Sequence, residues 1–492
     1  MPSDSGGPQV VIVGGGFCGA ALALHLTRLA ARPLGVTLIE PAADLGRGIA
    51  YAGDEPVHRI NIPAARMAVF QDEPGDFDRY AHAQGAVAAD AAGLQPNGDF
   101  YARRTLFGDY VGGLLTAARA VNPAVSIDHV RANAVALRQG SVVTDQGASI
   151  PADALVIATG NPRPTLPGPL APLAGDSRLI VDPWQPGALS GIVEDAGVLI
   201  VGTGLTTADV VAVLGRRGHR GAIVALSRHG LTQRRKQPGP YQPQGNFAAL
   251  PGDTALELLQ SVRAVLGAGG PAGVRWEDVI EAVRLQGRAI WRRLPEDERR
   301  RVVRHLRAFW DVHRYQVAPP VDDAVRAARA EGRLSIEAGT IQVASAAADG
   351  IGVAIRPRGR TGVETRRFGH VVNATGPSMH ALIDGNPFLA DLAAQGQIAA
   401  DPLQLGLHVG PDSRPIGSAS APLPIFALGL LARGQFGELA GIRELSAQAA
   451  EVALALVRAF EPDAPLPARG DLLVIPGRHA TAVPSRIAEP TC

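Results

Sequence analysis

Short apolar runs followed by glycine turns recur along the chain, and two of them lead into segments with helical spacing. The first such unit reads QVVIVG, then GAALALHLTRLA, then GVTLIE. The first and third segments are typical of strands buried in a sheet, and the middle segment has the periodicity of a helix. This order predicts a strand–helix–strand unit with a parallel sheet at the start of the chain.

The same order returns in the middle of the chain. A further buried strand, DALVIATG, and a Pro-rich linker, GNPRPTLPGPLAPL, precede GVLIVGTG, TADVVAVLGRRG and AIVALS, which predict strand, helix and strand. A polar Pro/Gly-rich stretch at 234–246 leads into residues 253–330, whose spacing predicts helices. Strands are predicted again at GVAIRPR, GHVVNATG and PIFALG, before a long helix, AGIRELSAQAAEVALALVRAF.

The first glycine turn has the spacing of a dinucleotide-binding site. Gly14, Gly16 and Gly19 give G-x-G-x-x-G between the first strand and the helix. These glycines allow a tight turn, close approach of a pyrophosphate, and close packing of helix on strand, and the helix N-terminus attracts the phosphates. Glu40 ends the second strand, where a carboxylate accepts hydrogen bonds from ribose hydroxyls and repels a 2′-phosphate. This pattern favours FAD as a resident cofactor.

The second glycine turn differs at the position that selects the cofactor. Gly202 and Gly204 are followed by Thr207 in place of a third glycine, and the Thr side chain predicts a slightly wider contact between helix and strand. At the end of the next strand stand Ser227 and Arg228, which suit a 2′-phosphate. The alternative is that Arg228 is a solvated loop arginine in an Arg-rich chain. The register favours NADPH binding, and hence hydride transfer from NADPH to the flavin.

Further segments resemble the flavoproteins that carry two dinucleotide-binding domains. ALVIATGNPRP and HVVNATGP, with Gly160 and Gly376, are similar to the paired turns where the chain passes between the two domains. FALGLLARG, with Gly429, is similar to the late strand that ends under the flavin. Many relatives have Asp after that glycine, whereas this chain has Leu430, so the contacts to the flavin tail are left open.

A narrower resemblance covers roughly residues 8–455. LGRGIAYAGDEPVHRINIPAARM, FYARRTLFGDYV, RHLRAFWDVHRYQVAP and GRLSIEAG resemble a bacterial family of FAD/NAD(P)-binding proteins. FYARRTLFGDYV is also similar to a segment of N-hydroxylating monooxygenases, which hydroxylate amino groups of amino acids and diamines. The resemblance implies the two cofactors and leaves the substrate open.

Five side chains are candidates for cofactor or substrate contacts, each with an ordinary alternative. Arg47 and Arg104 are predicted to contact FAD, although each is also consistent with a surface arginine. Asn61 resembles a position near the isoalloxazine ring, but Asn also forms turns. His313 and Arg314 fall on one helix face and are predicted to contact substrate, the alternative being a packed face of the helix.

Composition narrows the range of functions. The formal net charge is +1, with 46% hydrophobic and 19% charged residues, which gives no reason to expect nucleic acid as a partner. With only Cys18 and Cys492, and no CxxC pair, a disulfide reductase or a metal site is not expected. Three glycines interrupt the apolar stretch from Val10 to Leu26, and no run reaches the length of a membrane span, so we expect a cytoplasmic protein.

Together these observations predict an α/β protein with two Rossmann-like dinucleotide-binding domains and an inserted helical subdomain. We expect an FAD-binding domain at 1–165 and 371–460, an NADPH-binding domain at 166–370 with a helical insertion at about 232–330, and a flexible tail at 461–492. The helical insertion is expected to cap the flavin.

The predicted function is an NADPH-using monooxygenase that transfers one oxygen atom from O2, through a C4a-hydroperoxyflavin, to a small substrate such as an amine. Two alternatives remain open. One is an FAD-dependent dehydrogenase or oxidase of a small amine or hydroxy compound. The other is a non-catalytic flavin-binding sensor or scaffold. The sequence does not settle the oligomeric state.

Overall fold

The architecture is taken from a computed structural model. It describes residues 6–53, 55–249, 252–267, 273–417 and 421–463. Most of the predicted tail, 464–492 with Cys492, lies outside the described residues.

The strands form three sheets. In chain order they are β1 (Gln9–Val13), β2 (Leu34–Ile39), β3 (Val125–Val130), β4 (Ala134–Arg138), β5 (Ser141–Thr144), β6 (Ser149–Pro151), β7 (Ala154–Ile157), β8 (Leu179–Ile180), β9 (Val198–Val201), β10 (Ile223–Ser227), β11 (Leu334–Ala347), β12 (Gly350–Pro357), β13 (Glu364–Phe368), β14 (His370–Asn373) and β15 (Ile425–Ala427).

The first sheet has five parallel strands in the order β15-β7-β1-β2-β3, and the second has seven in the order β13-β12-β11-β10-β9-β14-β8. In the second sheet β12 and β13 are antiparallel and extend an otherwise parallel core. The third sheet, β4-β5-β6, is antiparallel. Two parallel sheets built from strand–helix–strand units confirm the predicted fold class.

Fourteen α-helices are described in these residues. They are α1 (Phe17–Leu29), α2 (Gly48–Tyr51), α3 (Asp76–Ala83), α4 (Ala86–Ala89), α5 (Arg104–Val121), α6 (Leu205–Arg216), α7 (Ala255–Gly267), α8 (Trp276–Arg293), α9 (Glu296–Arg301), α10 (Arg307–Arg314), α11 (Pro319–Ala330), α12 (Pro387–Ala394), α13 (Arg433–Phe436) and α14 (Ile442–Phe460). None of the helices in the described ranges combines the length and apolar character that crossing a membrane requires.

The alternation of side chains along β1 explains how the first sheet is covered on both faces. Val10 and Ile12 join the core formed with α1, α5 and α14, whereas Val11 and Val13 join the core formed with the third sheet and α12. Because both faces are buried, the strand reads as an unbroken apolar run rather than an alternating one.

The region 253–330, predicted as helical, divides into two parts. Helix α11 packs on α6 and connects β10 to β11, so it is the crossover helix of the second parallel sheet. Helices α7 to α10 instead form a separate segment that docks on the C-terminal half of the chain. Trp291 of α8 donates its Nε1–H to the Gly434 carbonyl at 2.8 Å, and Arg288 pairs with Glu451 at 2.8 Å.

Candidate dinucleotide-binding sites

The first glycine turn connects β1 to α1 and is in close contact with neighbouring backbone atoms. Gly14 has φ of 109°, and a Cβ there would lie 2.3 Å from the Ala158 carbonyl oxygen. A Cβ on Gly19 would lie 2.1 Å from the Gly14 carbonyl, so helix and strand approach as closely as only glycine permits. Gly16 precedes the helix, whose first N–H groups face outward for want of an intrahelical acceptor. We call this arrangement, formed by Gly14, Gly16, Gly19 and the N-terminus of α1, an anion cradle. A side chain at any of the three glycines would fill the space it needs.

Glu40 stands at the end of β2 beside this turn. Its carboxylate accepts hydrogen bonds from the N–H groups of Gly15 at 2.9 Å and Ala42 at 3.0 Å. A carboxylate has about four acceptor positions, so both oxygens keep capacity for ribose hydroxyls. The position and chemistry suit the ribose that joins a pyrophosphate held at the turn.

The loop after β2 folds back over the turn. The Gly46 N–H donates to the Gly15 carbonyl at 2.7 Å, and a Cβ on Gly16 would touch the Gly48 Cα at 3.4 Å. Arg47 in this loop forms ion pairs with Asp109 and, at 3.4 Å, with Asp44. Arg47 therefore lies close to the turn but is held by acidic neighbours.

Two later glycines follow strands of the first sheet. The segment Ala158–Gly160 follows β7, and Gly160 adopts φ of 73° in open space. The Thr159 hydroxyl next to it is buried and has no hydrogen-bond partner. Gly429 follows β15, and a Cβ there would lie 2.8 Å from Sγ of Cys18 at the start of α1. The burial that Cys18 shares with these neighbours raises its thiol pKa to about 12, so it is an inert packing residue.

The second glycine turn repeats the first in detail. Gly202 has φ of 129°, and its Cβ would lie 2.4 Å from the Ala374 carbonyl oxygen, as Gly14 faces Ala158. Gly204 precedes α6 with φ of −87° and ψ of −163°, close to the −69° and −167° of Gly16. Gly376 follows Ala374 in the left-handed region, with φ of 83°. The chain thus builds two anion cradles, each closed by an Ala-Thr-Gly turn.

A cavity of about 400 Å³ opens at the second turn beside Thr207, the residue in the place of a third glycine. It lies between α6, α11 and the strands β10 and β11, and its lining includes Gly204, Thr207, Gln233 and Arg234. Thr207 is 6% exposed, and its hydroxyl is buried without a partner, as is Oε1 of Gln233. Unsatisfied buried polar atoms are costly, so their presence at a cavity wall indicates a polar ligand there.

Basic groups gather at the end of β10. The Ser227 hydroxyl accepts a hydrogen bond from Thr203 at 2.9 Å and from the Gly230 N–H at 3.0 Å, so it is fixed in place. Arg228 is exposed, and Arg358 of the antiparallel extension donates to Nδ1 of the neighbouring His229. Burial, then Arg358 and Arg228, lower the pKa of His229. Two guanidinium groups, of Arg228 and Arg358, thus lie near His229, where a bound anion would relieve their repulsion.

Helix α6 is docked lengthwise on the first domain. Near its N-terminus the side chain of Asp209 accepts from Arg104 at 2.8 Å, in a pair whose members are 4% and 13% exposed. At its C-terminus Arg216 and Arg217 both pair with Glu55, the first at 2.8 Å. Ala208 and Ala212 of the same helix pack in one buried cluster with Tyr101.

The structure therefore places Arg104 at the junction of the two domains. It also donates to the Arg59 carbonyl at 3.0 Å, and its guanidinium lies 4.8 Å from the centre of the Trp184 ring. A direct contact of Arg104 with FAD stays a prediction.

Asn61, predicted near the flavin ring, and the two predicted substrate residues lie in two places. Asn61 is half-buried just before the short turn Ala64–Arg66 in the first domain. The Nδ1–H of His313 donates to the Phe309 carbonyl at 2.7 Å, and the ring packs edge-on against Trp276, 5.1 Å away. Arg314 pairs with Glu438 at 2.8 Å, both side chains being at most 15% exposed. Arg314 thus ties the helical segment to the C-terminal half, and its role toward a substrate stays a prediction.

One protein-family model matches part of the chain. Residues 11–162 match the family model described as FAD-NAD(P)-binding. The matched range runs from β1 through the Ala158–Gly160 turn, and so contains the first cradle, Glu40 and the Arg47 loop. No curated protein matches the chain by sequence.

The fold of the chain as a whole is similar to that of solved flavoenzymes. An L-lysine 6-monooxygenase from Pseudomonas syringae is 19% identical with a TM-score of 0.61, and the reduced ornithine hydroxylase of Pseudomonas aeruginosa is 17% identical with a TM-score of 0.60. An ornithine N-hydroxylase of Kutzneria sp. 744, solved with reduced FAD, NADP+ and L-ornithine, is 16% identical with a TM-score of 0.58. Each match covers 92% of this chain and 99% of the other. The likeness extends the fold assignment beyond the family match to both nucleotide domains.

Several residues of these sites are not predicted by the sequence. Asp209 and Gln233 belong to no recognised motif, and Arg104, the partner of Asp209, is 105 positions away in the sequence. Thr159 is inside a quoted turn, but only the structure shows its hydroxyl to be unpaired. No group of three or more potential metal ligands is found among the described residues.

Proposed function

We propose that this protein is an FAD-dependent, NADPH-using monooxygenase that acts on a small-molecule amine. The observation that carries the proposal is the contrast between two otherwise equivalent cradles. One is closed by the carboxylate of Glu40, and the other by Ser227 with the basic groups of Arg228, His229 and Arg358. A carboxylate suits an unphosphorylated ribose, whereas the basic group suits a 2′-phosphate.

The residues at the first cradle fit FAD. The glycine backbone and the N-terminus of α1 would hold the pyrophosphate, while Glu40 would accept from the ribose. Thr159, whose hydroxyl is buried and unpaired, would donate to the same ligand. When bound, the flavin supplies hydride acceptance and the activation of O2, chemistry that side chains cannot provide.

The residues at the second cradle fit NADPH. Gly202 and Gly204 leave room for its pyrophosphate at the N-terminus of α6. Thr207 and Gln233 would give their unpaired polar atoms to the cofactor, and Arg228 would bind the 2′-phosphate. Because α6 is held to the first domain at both ends, a dinucleotide bound there would be kept in one orientation toward the flavin.

The reaction class is supported by the solved structures of similar fold. The lysine monooxygenase and the two ornithine hydroxylases are named for oxygen transfer to amino acids. By analogy, one oxygen atom would go to the amine of a small substrate and the other would leave as water. The helical segment α7–α10 would limit access of water to this reaction.

Rapid mixing of the flavin-loaded protein with nicotinamides tests the proposal. We expect NADPH to reduce the flavin anaerobically much faster than NADH does. Later addition of O2 with a suitable amine should give hydroxylated product, detected by mass spectrometry, in proportion to the NADPH consumed. Reduction of the flavin by an amine or hydroxy compound, without NADPH, would instead indicate a dehydrogenase. Complete conversion of O2 to peroxide with every amine would also contradict oxygen transfer.

A further inference from the structure

Three cationic side chains surround the ring of Tyr241, at the junction of the first domain, the loop after β10 and the helical segment. The Lys236 Nζ lies 4.4 Å from the ring centre, the Arg66 guanidinium 5.4 Å, and the Arg275 guanidinium 5.6 Å. The Tyr241 hydroxyl donates to the Gln237 carbonyl at 2.9 Å, which fixes the ring. Arg66 comes from the short turn Ala64–Arg66 that closely follows Asn61.

Two of the three cations have no anionic partner in the described part of the chain. Arg275 pairs with Glu277 at 3.8 Å, but neither Arg66 nor Lys236 forms an ion pair or a side-chain hydrogen bond with any described residue. Most other arginines in this region are paired, so two unpaired cations sharing one ring are unusual. Arg66 lowers the pKa of Lys236, because like charges repel unless an anion lies between them.

The carboxylates nearby are already engaged. Glu281 accepts two hydrogen bonds from Arg284, at 2.6 and 2.9 Å, and Glu438 pairs with Arg314 at 2.8 Å. Although burial raises the pKa of Glu281, its hydrogen bonds to Arg284 outweigh this, and the pKa is lowered. The site therefore has spare positive charge and no spare negative charge.

We propose that Arg66 and Lys236 bind a carboxylate of the substrate against the Tyr241 ring, and that the substrate is a small acid of net negative charge. The proposal rests on the proposed function, because it names the substrate class of that enzyme. Two cations from different segments suit a carboxylate, which accepts hydrogen bonds at both oxygens. A diamine amino acid is disfavoured, because its side-chain ammonium would meet only engaged carboxylates and further cations.

The ionisation of Lys236 supports this assignment. Burial lowers its pKa to about 7, with Arg66, Arg314 and Arg284 acting in the same direction and Glu281 opposing them. A bound carboxylate would favour the charged ammonium and raise that pKa. Binding should then take up a proton above about pH 7, so that the affinity for the acid falls as pH rises through this range.

Equilibrium binding to the oxidised, flavin-loaded protein tests the proposal without turnover. Succinate and L-aspartate are the probes, with L-ornithine as the cationic comparison, and binding is followed by calorimetry and by the flavin absorbance. We expect succinate and L-aspartate to bind more tightly than L-ornithine. Lys236→Met and Arg66→Gln should each weaken the acids about tenfold or more, the loss of one charge-assisted hydrogen bond.

Matched variants separate this role from a structural one. Lys236→Arg keeps the charge and should retain binding, but it should lose the pH dependence near 7, because a guanidinium stays protonated. Arg300→Gln, on the exposed face of α9, should leave binding unchanged. Flavin content shows whether each variant is folded.

Three outcomes would overturn the proposal. The first is tighter binding of L-ornithine than of the acids, and the second is unchanged acid affinity in both Lys236→Met and Arg66→Gln. The third is a loss of NADPH affinity in these variants that matches their loss of acid affinity, which would assign the cluster to a cofactor phosphate. Failure of NADPH to reduce the flavin, with cluster-dependent acid binding intact, would instead reject the proposed monooxygenase and leave the anion site standing.

Discussion

The ion pair between Arg104 and Asp209 offers a direct test of how the two nucleotide domains are held together. Arg104 begins α5 in the first domain, and Asp209 lies in the first turns of α6 after the second cradle. Their 2.8 Å contact is almost fully shielded from water. We therefore expect this pair to fix the orientation of α6, and with it the direction in which a bound nicotinamide would point.

The expected loss of folding stability when the Arg104–Asp209 pair is broken follows from the burial of both side chains. Removing one member leaves a charge without its partner, which typically costs about 3–5 kcal/mol, whereas replacing both members by apolar residues is often close to neutral. We expect Asp209→Asn to lower the free energy of unfolding by about 3 kcal/mol, the lower end of this range, because the amide oxygen can still accept a hydrogen bond from Arg104. The double variant Arg104→Met/Asp209→Leu should be more stable than the sum of its single variants predicts.

A double-mutant cycle in urea unfolding measures this coupling, and anaerobic flavin reduction measures its consequence for chemistry. In the double variant we expect unchanged NADPH affinity and a hydride-transfer rate about tenfold lower or more, since orientation contributes strongly to such steps. Glu296→Gln breaks an exposed pair with Arg300, 56% exposed on both sides, and is a control expected to cost under about 1 kcal/mol. Strictly additive single variants, or an unaltered reduction rate, would refute the reasoning.

Three further predictions concern the cradles. Gly14→Ala should abolish retention of flavin during purification because its Cβ would strike the Ala158 carbonyl, whereas Gly160→Ala, with similar φ but open space, should keep the flavin at a cost of about 1 kcal/mol. Thr207→Val should raise the melting temperature of the cofactor-free protein, by removing an unpaired buried hydroxyl worth about 1 kcal/mol, and should weaken NADP+ binding; a loss of stability would contradict this. Arg228→Ala should weaken NADPH by about 1–3 kcal/mol with little effect on NADH, and equal losses in a binding titration would remove its assigned role.

The sequence predicts the parts of this fold that depend on local pattern. The strand, glycine turn and helix around Gly14 and Gly202 are encoded in about thirty residues each, and both units fold as expected because propensity, periodicity and turn chemistry agree. The sequence does not predict that α11 is the crossover helix of the second sheet. Its spacing resembles that of α7–α10, and only the parallel pairing of β10 with β11 assigns it to the second sheet. Strand β11 also escapes prediction, since most of its residues are partly exposed and its apolar positions do not alternate.

Contacts between distant segments could not be predicted from one sequence. Arg104 pairs with a residue 105 positions away, and Arg314 with one 124 positions away. In an Arg-rich chain each arginine has many possible partners, and sequence spacing carries no information about which carboxylate the fold brings near. The sequence therefore indicates Arg104 as a candidate, whereas its partner Asp209 emerges only from the docking of α6.

The choice of arginine for the long-range pairs, and of a single lysine beside Tyr241, has a physical reason. A guanidinium stays charged under all physiological conditions and meets a carboxylate with two parallel hydrogen bonds, so it forms permanent links such as Arg288–Glu451. An ammonium in a partly buried site can lose its proton, and burial brings the pKa of Lys236 to about 7. Arginine at position 236 would keep its charge whether or not an anion were present. Lysine there can instead gain a charge when a carboxylate arrives, and this makes the cluster around Tyr241 suited to a ligand that binds and leaves.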